Sequence, residues 1–355
     1  MLMLSIVTTY LLPFIVVLGV LVIAHEAGHF LAAKAFGIRV ERFSVGFPPR
    51  LFGKQIGETD YCVSAVPLGG YVKLSGMIDE SMDTEGVKGE PWEFMSKPVW
   101  VRMLVLFAGP LANVLFAYLV FTTSIFITGI PQISEPVVGR VMENMPAQTA
   151  GLQPGDRIVR IDGAPIATWD DLIRIIHDAP DKPLTVEWER AGAPMSAQIT
   201  PKLDKMLGYG LIGIAATEQV SVRPGLFKGL ALGGESTWNW IKIMFRGIGM
   251  LFTREVSFKE GLAGPVRIAQ MTGETVKAGF GSLVMFMALL SLNLGIINLF
   301  PIPALDGGHL LLLAYEGVTR KPISTKVRLV AQQIGMALLL ALMLFVIFND
   351  FANIF

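Results

Sequence analysis

The sequence predicts a polytopic α-helical membrane protein, with four transmembrane helices, a β-hairpin region and an inserted α+β domain. Of its 355 residues, 52% are hydrophobic and 16% are charged, whereas soluble domains carry about 25% charged residues. Four segments reach the length that crosses a ~30 Å hydrocarbon layer. Apart from Glu26 in the first, these segments lack Asp, Glu, Lys and Arg: Met1–Ala33, Met103–Ser134, Ala278–Leu305 and Leu329–Asn349.

The distribution of Lys and Arg predicts the orientation of the four spans. Basic residues are concentrated between the first and second spans and between the third and fourth, and short loops rich in Lys and Arg face the cytoplasm. Both termini and the long connection Glu135–Lys277 are therefore expected on the non-cytoplasmic side. The formal net charge of zero gives no reason to expect nucleic-acid binding. The single cysteine, Cys62, excludes an internal disulfide framework.

The motif His25-Glu26-Ala27-Gly28-His29 follows 24 residues without an ionisable Asp, Glu, Lys, Arg or His. On a helix, the two imidazoles of an HExxH motif lie one turn apart on the same face, where both can bind one metal ion. The Glu can then act as general base on a metal-activated water. Because ionisable groups inside a span are costly, two His and a Glu at this depth indicate a catalytic zinc site.

The third span ends in a Pro-rich segment that leads to Asp306. A catalytic zinc usually has three protein ligands and one open position, and the predicted topology puts Asp306 on the same membrane side as His25 and His29. Pro301 and Pro303 should break the helix. The alternative is that Asp306 caps a helix after a Pro turn. His309 is a rival ligand, although a supporting or loop position is expected for it.

The loop between the first two spans contains three segments rich in β-forming residues between Gly and Pro: 43–47, 59–65 and 70–74. They predict β-hairpins, and an unpaired edge there can hold a substrate strand through main-chain hydrogen bonds. A simple cytoplasmic cap is the alternative. With the first two spans, the loop makes up a predicted region 1–134.

Residues 135–203 are predicted to form an inserted domain. The segments Ala150-Gly151-Leu152 and Pro154-Gly155-Asp156, a short β-run and a helix with Thr168 as its N-cap resemble bacterial PDZ domains. Such a domain either binds substrate tails or filters substrates by size. Residues 204–277 are predicted to be a linker with an interfacial amphipathic helix, for which plain packing is the alternative. Residues 278–355 complete the chain with the third and fourth spans.

The chain resembles the site-2 intramembrane zinc metalloproteases, and among them the bacterial regulator-of-sigma-E protease group. The resemblance covers nearly the whole chain and depends on four motifs in order, with the PDZ-like segment between them. These are His25–His29, Pro67–Lys73, Ala108–Asn113 and Asn298–Gly307. Members of the group often carry two PDZ domains, whereas this chain has room for one.

The resemblance implies a zinc peptidase of the bacterial inner membrane that cleaves single-span membrane proteins within or near the bilayer. Such a substrate is an anti-sigma factor or a signal-peptide remnant. His25, His29 and Asp306 correspond to the zinc ligands and Glu26 to the catalytic Glu, and the family has a membrane-associated β-hairpin region beside its zinc. The candidates for substrate or oxyanion binding are Asn113, Asn298, Gly69, Gly70 and Tyr71. Asn113 can equally well form a hydrogen bond between helices instead of stabilising an oxyanion. Asn298 has the same two interpretations and a third, as an aid to substrate binding.

Two other classes of protein remain as alternatives. A membrane metal transporter can place His and Asp in its spans, but it needs neither a Glu beside the first His nor a PDZ domain. An inactive membrane scaffold usually lacks a ligand or the base, and this sequence retains all of them. Zinc content and chelator-sensitive cleavage discriminate among the three classes.

Overall fold

The computed structural model describes residues 7–77, 88–132, 135–217, 220–253, 255 and 263–354. The helices are α1 (Leu12–Ala35), α2 (Val99–Thr128), α3 (Pro146–Thr149), α4 (Trp169–His177), α5 (Leu226–Phe252), α6 (Pro265–Ala278), α7 (Phe280–Asn298), α8 (Asp306–Thr319) and α9 (Thr325–Ile354). The strands are β1 (Val40–Ile56), β2 (Thr59–Leu74), β3 (Ile130–Gln132), β4 (Val138–Val141), β5 (Arg157–Ile161), β6 (Ala164–Pro165), β7 (Leu184–Arg190), β8 (Ala193–Ile199), β9 (Lys202–Asp204), β10 (Tyr209–Leu211), β11 (Ile214–Ala216) and β12 (Val220–Val222).

Four helical segments among the described residues are long and apolar enough to cross a membrane: Val7–Ala35, Val99–Thr128, Phe280–Asn298 and Thr325–Ala352. The predicted fold class is thereby confirmed, although the helices have bounds that differ from the predicted ones, most of all in the second and third spans. Helix α2 begins before Arg102, because the charge of Arg102 is compensated inside the protein by Glu316. It ends before Gly129, whose φ of +77° is incompatible with a continuing helix. Helix α7 begins after Gly279 (φ +113°) and ends at Asn298.

The loop between α1 and α2 forms the predicted β region. Strands β1 and β2 are long and bent, so that they pair with each other in three stretches. Residues 50–56 pair with 59–64, residues 42–47 pair with 60–66, and residues 40–45 pair with 70–74. At the tip of β1, Leu51 and Phe52 are exposed, which suits contact with lipid. Segment 70–74 lies at an edge, since within the described residues no strand other than β1 pairs with it.

The inserted domain contains a four-stranded sheet in the order β6–β5–β7–β8. Helix α4 packs on this sheet, and Thr168 caps it as predicted by accepting a hydrogen bond from the Asp171 backbone N–H at 3.2 Å. The largest side chains of its core are those of Trp169, Leu172, Ile176 and Trp188. This sheet and helix form one compact unit, which spans Thr123–Leu232 with Phe245–Ile248.

The inserted domain continues past the predicted boundary at residue 203. Strand β11 pairs with β4 at the beginning of the domain, and Ile212 is buried in the same core. The predicted linker 204–277 therefore contains strands β10–β12 as well as α5 and α6. The sequence pattern missed these strands because three residues are too few to display a period-two alternation. Helix α5 exposes Trp238, Phe245 and Phe252, as expected for the predicted amphipathic helix.

A buried ionic cluster joins α2, α8 and α9. The Glu316 carboxylate on α8 is 3.1 Å from Arg102 Nη2 of α2, and it accepts a hydrogen bond from Arg328 Nη2 of α9 at 2.5 Å. It also accepts one from the Ile323 backbone N–H at 2.7 Å. Burial alone would raise the pKa of the Glu316 carboxyl, but these donors hold that pKa below its ordinary value. The cluster therefore keeps its charges near neutral pH and ties the three helices together.

We predict that Glu316→Ala destabilises the protein strongly, because it leaves two buried guanidinium groups without their carboxylate. Removing one partner of a buried pair costs about 3–5 kcal/mol. Glu58→Ala is the matched control, since Glu58 also lies between two basic residues, Lys34 and Arg39, but its side chain is 42% exposed. In thermal unfolding in detergent, this control should lose at most about 1 kcal/mol of the free energy of unfolding. Equal losses in the two variants would contradict the role of the cluster.

Candidate metal centre

Helix α1 presents His25 and His29 to α2. The two residues are one helical turn apart and are 8% and 7% exposed, and their Nε2 atoms are 3.2 Å apart. Gly28 between them permits this orientation, because a Cβ atom at Gly28 would lie only 2.2 Å from the Ala108 carbonyl oxygen of α2. The absence of a side chain therefore lets the two helix backbones approach closely.

Asp306 reaches the two imidazoles from the first position of α8. The segment between α7 and α8 contains Pro301 and Pro303 and is not helical, as predicted. It folds back on α8 so tightly that a Cβ atom at Gly307 would lie 2.2 Å from the Phe300 carbonyl oxygen. As a result, Asp306 Oδ2 is 3.2 Å from His25 Nε2 and 3.4 Å from His29 Nε2.

The three side chains fit a zinc ion. Their potential ligand atoms are separated by 3.2, 3.2 and 3.4 Å, and tetrahedral zinc with ligands at ~2.0–2.2 Å would separate its ligands by roughly 3.3–3.6 Å. Within the described residues, the buried Asp306 Oδ2 has no hydrogen-bond partner of acceptable geometry. A buried carboxylate oxygen without a partner is costly, and a shared cation would satisfy it. Two His and one Asp are also donors that zinc accepts.

The second nitrogen of each imidazole contacts α2. His29 Nδ1 is 2.9 Å from the Val105 carbonyl oxygen, and only a protonated Nδ1 can donate to a carbonyl. The lone pair of His29 is therefore on Nε2, which is the atom that faces Asp306. His25 Nδ1 is 3.2 Å from the side-chain amide of Asn113, which is fully buried. Backbone and side-chain contacts of this kind hold ligand rings in place.

A cavity of 80 Å³ adjoins the three ligands, well above the roughly 10–15 Å³ that one water requires. Glu26 lines this cavity, as do Gly70 and Tyr71 at the edge of β2. The wall is completed by Val72, Leu74, Met77 and Leu106. A water, a carboxylate and the candidate metal ligands therefore have access to the same space.

The predicted site residues do not all lie at this cavity. Asn298 is the last residue of α7 and is partly buried, and it is not among the cavity-lining residues of the described chain. Gly69 contacts the ring of Phe47 instead of the cavity. His309 lines a separate small space beside Arg328. The direction of the chain after the two prolines brings Asp306, and not His309, to the two imidazoles.

The sequence analysis missed several residues that shape the site, including Val105, Leu106 and Gly109 of α2. Gly109 is the most informative of them, because a Cβ atom there would lie 2.2 Å from His29 Nε2. The sequence shows that Gly109 precedes Pro110 in the motif Ala108–Asn113, but it does not show what Gly109 contacts. Only the packing of α1 on α2 reveals that it faces an imidazole.

We predict that Gly109→Ala lowers zinc binding, because the added methyl group displaces the His29 ring from its ligand position. Loss of such support typically costs 10–100-fold in metal affinity. Gly19→Ala is the matched control in α1, where a Cβ atom meets nothing within 4 Å. Zinc per chain and zinc affinity of the purified proteins should fall for Gly109→Ala alone. An unchanged affinity in Gly109→Ala would show that the α1–α2 contact tolerates a side chain at this position.

The model of peptidase family M50 matches residues 13–342 of this chain. A relative from Agrobacterium fabrum is 37% identical over 98% of this chain and 97% of its own length. The regulator of sigma E protease of Salmonella typhi is 32% identical over 97% of this chain and 98% of its own length. The same identity and coverage are found for zinc metalloprotease RasP of Geobacillus kaustophilus.

Among solved structures, the PDZ domain of an SdrC-like protein from Listeria innocua covers 25% of this chain and 99% of its own length, at 27% identity and a TM-score of 0.22. The relatives offer no support for a metal transporter, the alternative that the sequence left open. The match to the family reaches all four membrane-length helices, the first and last in part, and includes the three candidate ligands. The chain therefore belongs to peptidase family M50 and is a zinc metalloprotease.

Proposed function

We propose that this protein is an intramembrane endopeptidase that cleaves single-span membrane proteins, with His25, His29 and Asp306 as its zinc ligands and Glu26 as its general base. The observation that carries the proposal is the convergence of three ligand atoms within 3.4 Å of one another, two of them on a membrane-length helix. Ionisable groups at such depth are costly and therefore functional.

The side chains at the cavity divide the chemistry of peptide hydrolysis among them. Zinc, when bound, supplies Lewis-acid activation of water and of the scissile carbonyl. Glu26 borders the same cavity, so its carboxylate is positioned to take a proton from the attacking water. The protonated Glu26 then delivers that proton to the leaving amine nitrogen, which completes one turnover without a net change in the enzyme.

The edge of β2 is the candidate binding site for the substrate backbone. Gly70 and Tyr71 lie both at this edge and at the cavity, so a strand added there would pass the candidate zinc site. Strand addition gives hydrogen-bond partners to the main-chain N–H and C=O groups of an unwound substrate helix. In lipid these groups would otherwise have no partners. Gly70 also permits close packing on α1, since a Cβ atom there would lie 2.7 Å from Val22 Cγ1.

The Lys and Arg distribution supports a zinc site toward the cytoplasm, and the bacterial relatives support an inner-membrane protein. On this topology the termini and the PDZ-like domain face the opposite side. The PDZ-like domain would then act on the extracytoplasmic part of a substrate, by tail binding or by size. A relative's name, regulator of sigma E protease, supports a membrane-bound anti-sigma factor as one substrate, and signal-peptide remnants share the same single-span chemistry.

We predict that Glu26→Gln retains zinc but loses peptidase activity, because the metal ligands are intact while the proton acceptor is absent. General-base loss costs about 10²–10⁴-fold. The measurements are zinc per chain and cleavage of a reconstituted single-span substrate, with wild-type protein treated with a chelator as reference. Near-normal cleavage by the zinc-loaded variant would rule out Glu26 as the base.

We predict that Asp306→Ala lowers zinc affinity and activity together, because it removes one of three ligands. His309→Ala is the matched control on the same helix, since His309 lines a different space. It should retain zinc affinity. If His309→Ala instead abolished zinc binding and Asp306→Ala did not, the ligand assignment would be wrong while the peptidase class would stand.

A further inference from the structure

A chain of buried polar groups links His25 of α1 to α2 and α7. Asn113 of α2 has its side-chain amide 3.2 Å from His25 Nδ1. Ser291 of α7 has its hydroxyl 2.9 Å from the Asn113 backbone carbonyl and 3.3 Å from the other end of the amide. Both Asn113 and Ser291 are fully buried. Gly295 permits this contact between helices, since a Cβ atom there would lie 3.2 Å from Asn113 Cβ.

We propose that Asn113 is a positioning residue whose amide oxygen accepts the Nδ1 proton of His25 and thereby holds its Nε2 lone pair toward the metal. This inference rests on the proposed zinc site. Neutral imidazole carries one proton, so a ring that binds a metal through Nε2 must carry that proton on Nδ1. The Nδ1 proton then needs an acceptor, and the only atom of the Asn113 side chain that can accept it is Oδ1.

The hydrogen bonds of Ser291 determine the orientation of the amide. In the orientation with Asn113 Nδ2 toward His25, two protonated nitrogens face each other and the His25 Nδ1 proton has no acceptor. Amide oxygen and nitrogen are assigned from their hydrogen bonds, since a half-turn exchanges them at nearly the same positions. After that half-turn, Oδ1 accepts from His25, while Nδ2 donates to the Ser291 oxygen.

With the amide rotated, His25 Nδ1, both ends of the Asn113 amide and the Ser291 hydroxyl each have a hydrogen-bond partner. The Ser291 hydroxyl donates to the Asn113 backbone carbonyl at 2.9 Å, which leaves its lone pairs to accept from Nδ2. Both ends of the amide are then used within the protein, one N–H toward Ser291 and the oxygen toward His25. Asn113 is also not among the residues that line the cavity in the described part of the chain. The positioning role therefore outweighs the oxyanion role.

The test compares zinc affinities on a Glu26→Gln background, so that no cleavage is needed, by competition with a chromogenic chelator. Asn113→Leu removes the acceptor and should weaken zinc binding by about 10–100-fold, the typical effect of losing a group that orients a ligand. Asn113→Asp retains an acceptor of similar shape and should keep zinc affinity near that of the parent. Asn293→Leu is the matched control, because Asn293 lies on the exposed face of α7.

Thermal unfolding of the metal-free proteins establishes that each variant is folded. If Asn113→Leu does not fold, Ser291→Ala decides, because it leaves Asn113 in place and removes the acceptor for Nδ2 together with the donor to the Asn113 backbone carbonyl. It should weaken zinc binding by about 2–10-fold, the usual worth of one hydrogen bond. Unchanged zinc affinity in the folded Asn113→Leu or Ser291→Ala variant would overturn the positioning role of Asn113 and leave the proposed function intact. Asn113→Asp as weak as Asn113→Leu would overturn the acceptor role, and a parent that binds no zinc would overturn the proposed function too.

Discussion

The close contact between α1 and α2 is the constraint on which the candidate metal centre depends. Glycine is needed on both sides of it, since a Cβ atom at Gly28 would meet the Ala108 carbonyl and one at Gly109 would meet the His29 ring, each at 2.2 Å. Only at this separation can His29 Nδ1 reach the Val105 carbonyl. In lipid, where hydrophobic burial gives little drive for helix association, small residues and interhelical hydrogen bonds supply the attraction. The same residues therefore join the helices and orient a ligand.

The third ligand depends on irregular backbone, which a membrane protein tolerates only where protein covers it. Ala304 has a φ of +79°, a conformation that a residue with a side chain adopts at a cost. Packing compensates for that cost, since α9 approaches so closely that a Cβ atom at Gly335 would lie 1.8 Å from the Pro303 carbonyl oxygen. At the other end of α8, the ionic cluster around Glu316 attaches the helix to α2 and α9. Asp306 is thus held by contacts at both ends of the helix that carries it.

Residues whose geometry follows from local periodicity can be predicted from the sequence. Residues whose positions depend on tertiary packing cannot be predicted in this way. His25 and His29 share a helix face because of their spacing alone. The choice between Asp306 and His309 depends on the turn after α7, and Asn298 was grouped with the site although it does not line the cavity. Helix α8 enters the prediction only as the alternative in which Asp306 caps a helix, because its apolar run from Leu310 follows a Pro-rich segment without a clear helical stripe. The role of Gly109 depends on a residue 80 positions away in the sequence.

Hydrogen bonding explains why the centre selects a cation. The second nitrogen of His29 is satisfied by a backbone carbonyl, and the amide of Asn113 can satisfy that of His25. What remains are two imidazole lone pairs and the Asp306 Oδ2 atom, all acceptors and all directed at one point. While both imidazoles are neutral, no hydrogen bond can join these acceptors to each other, so the centre retains a desolvation cost until it binds a cation, either a proton or a metal ion. Metal binding removes this cost and is coupled to stability through the preference of the ion for the folded state. A zinc-loaded centre is therefore expected to strengthen the α1–α2–α8 assembly that forms it.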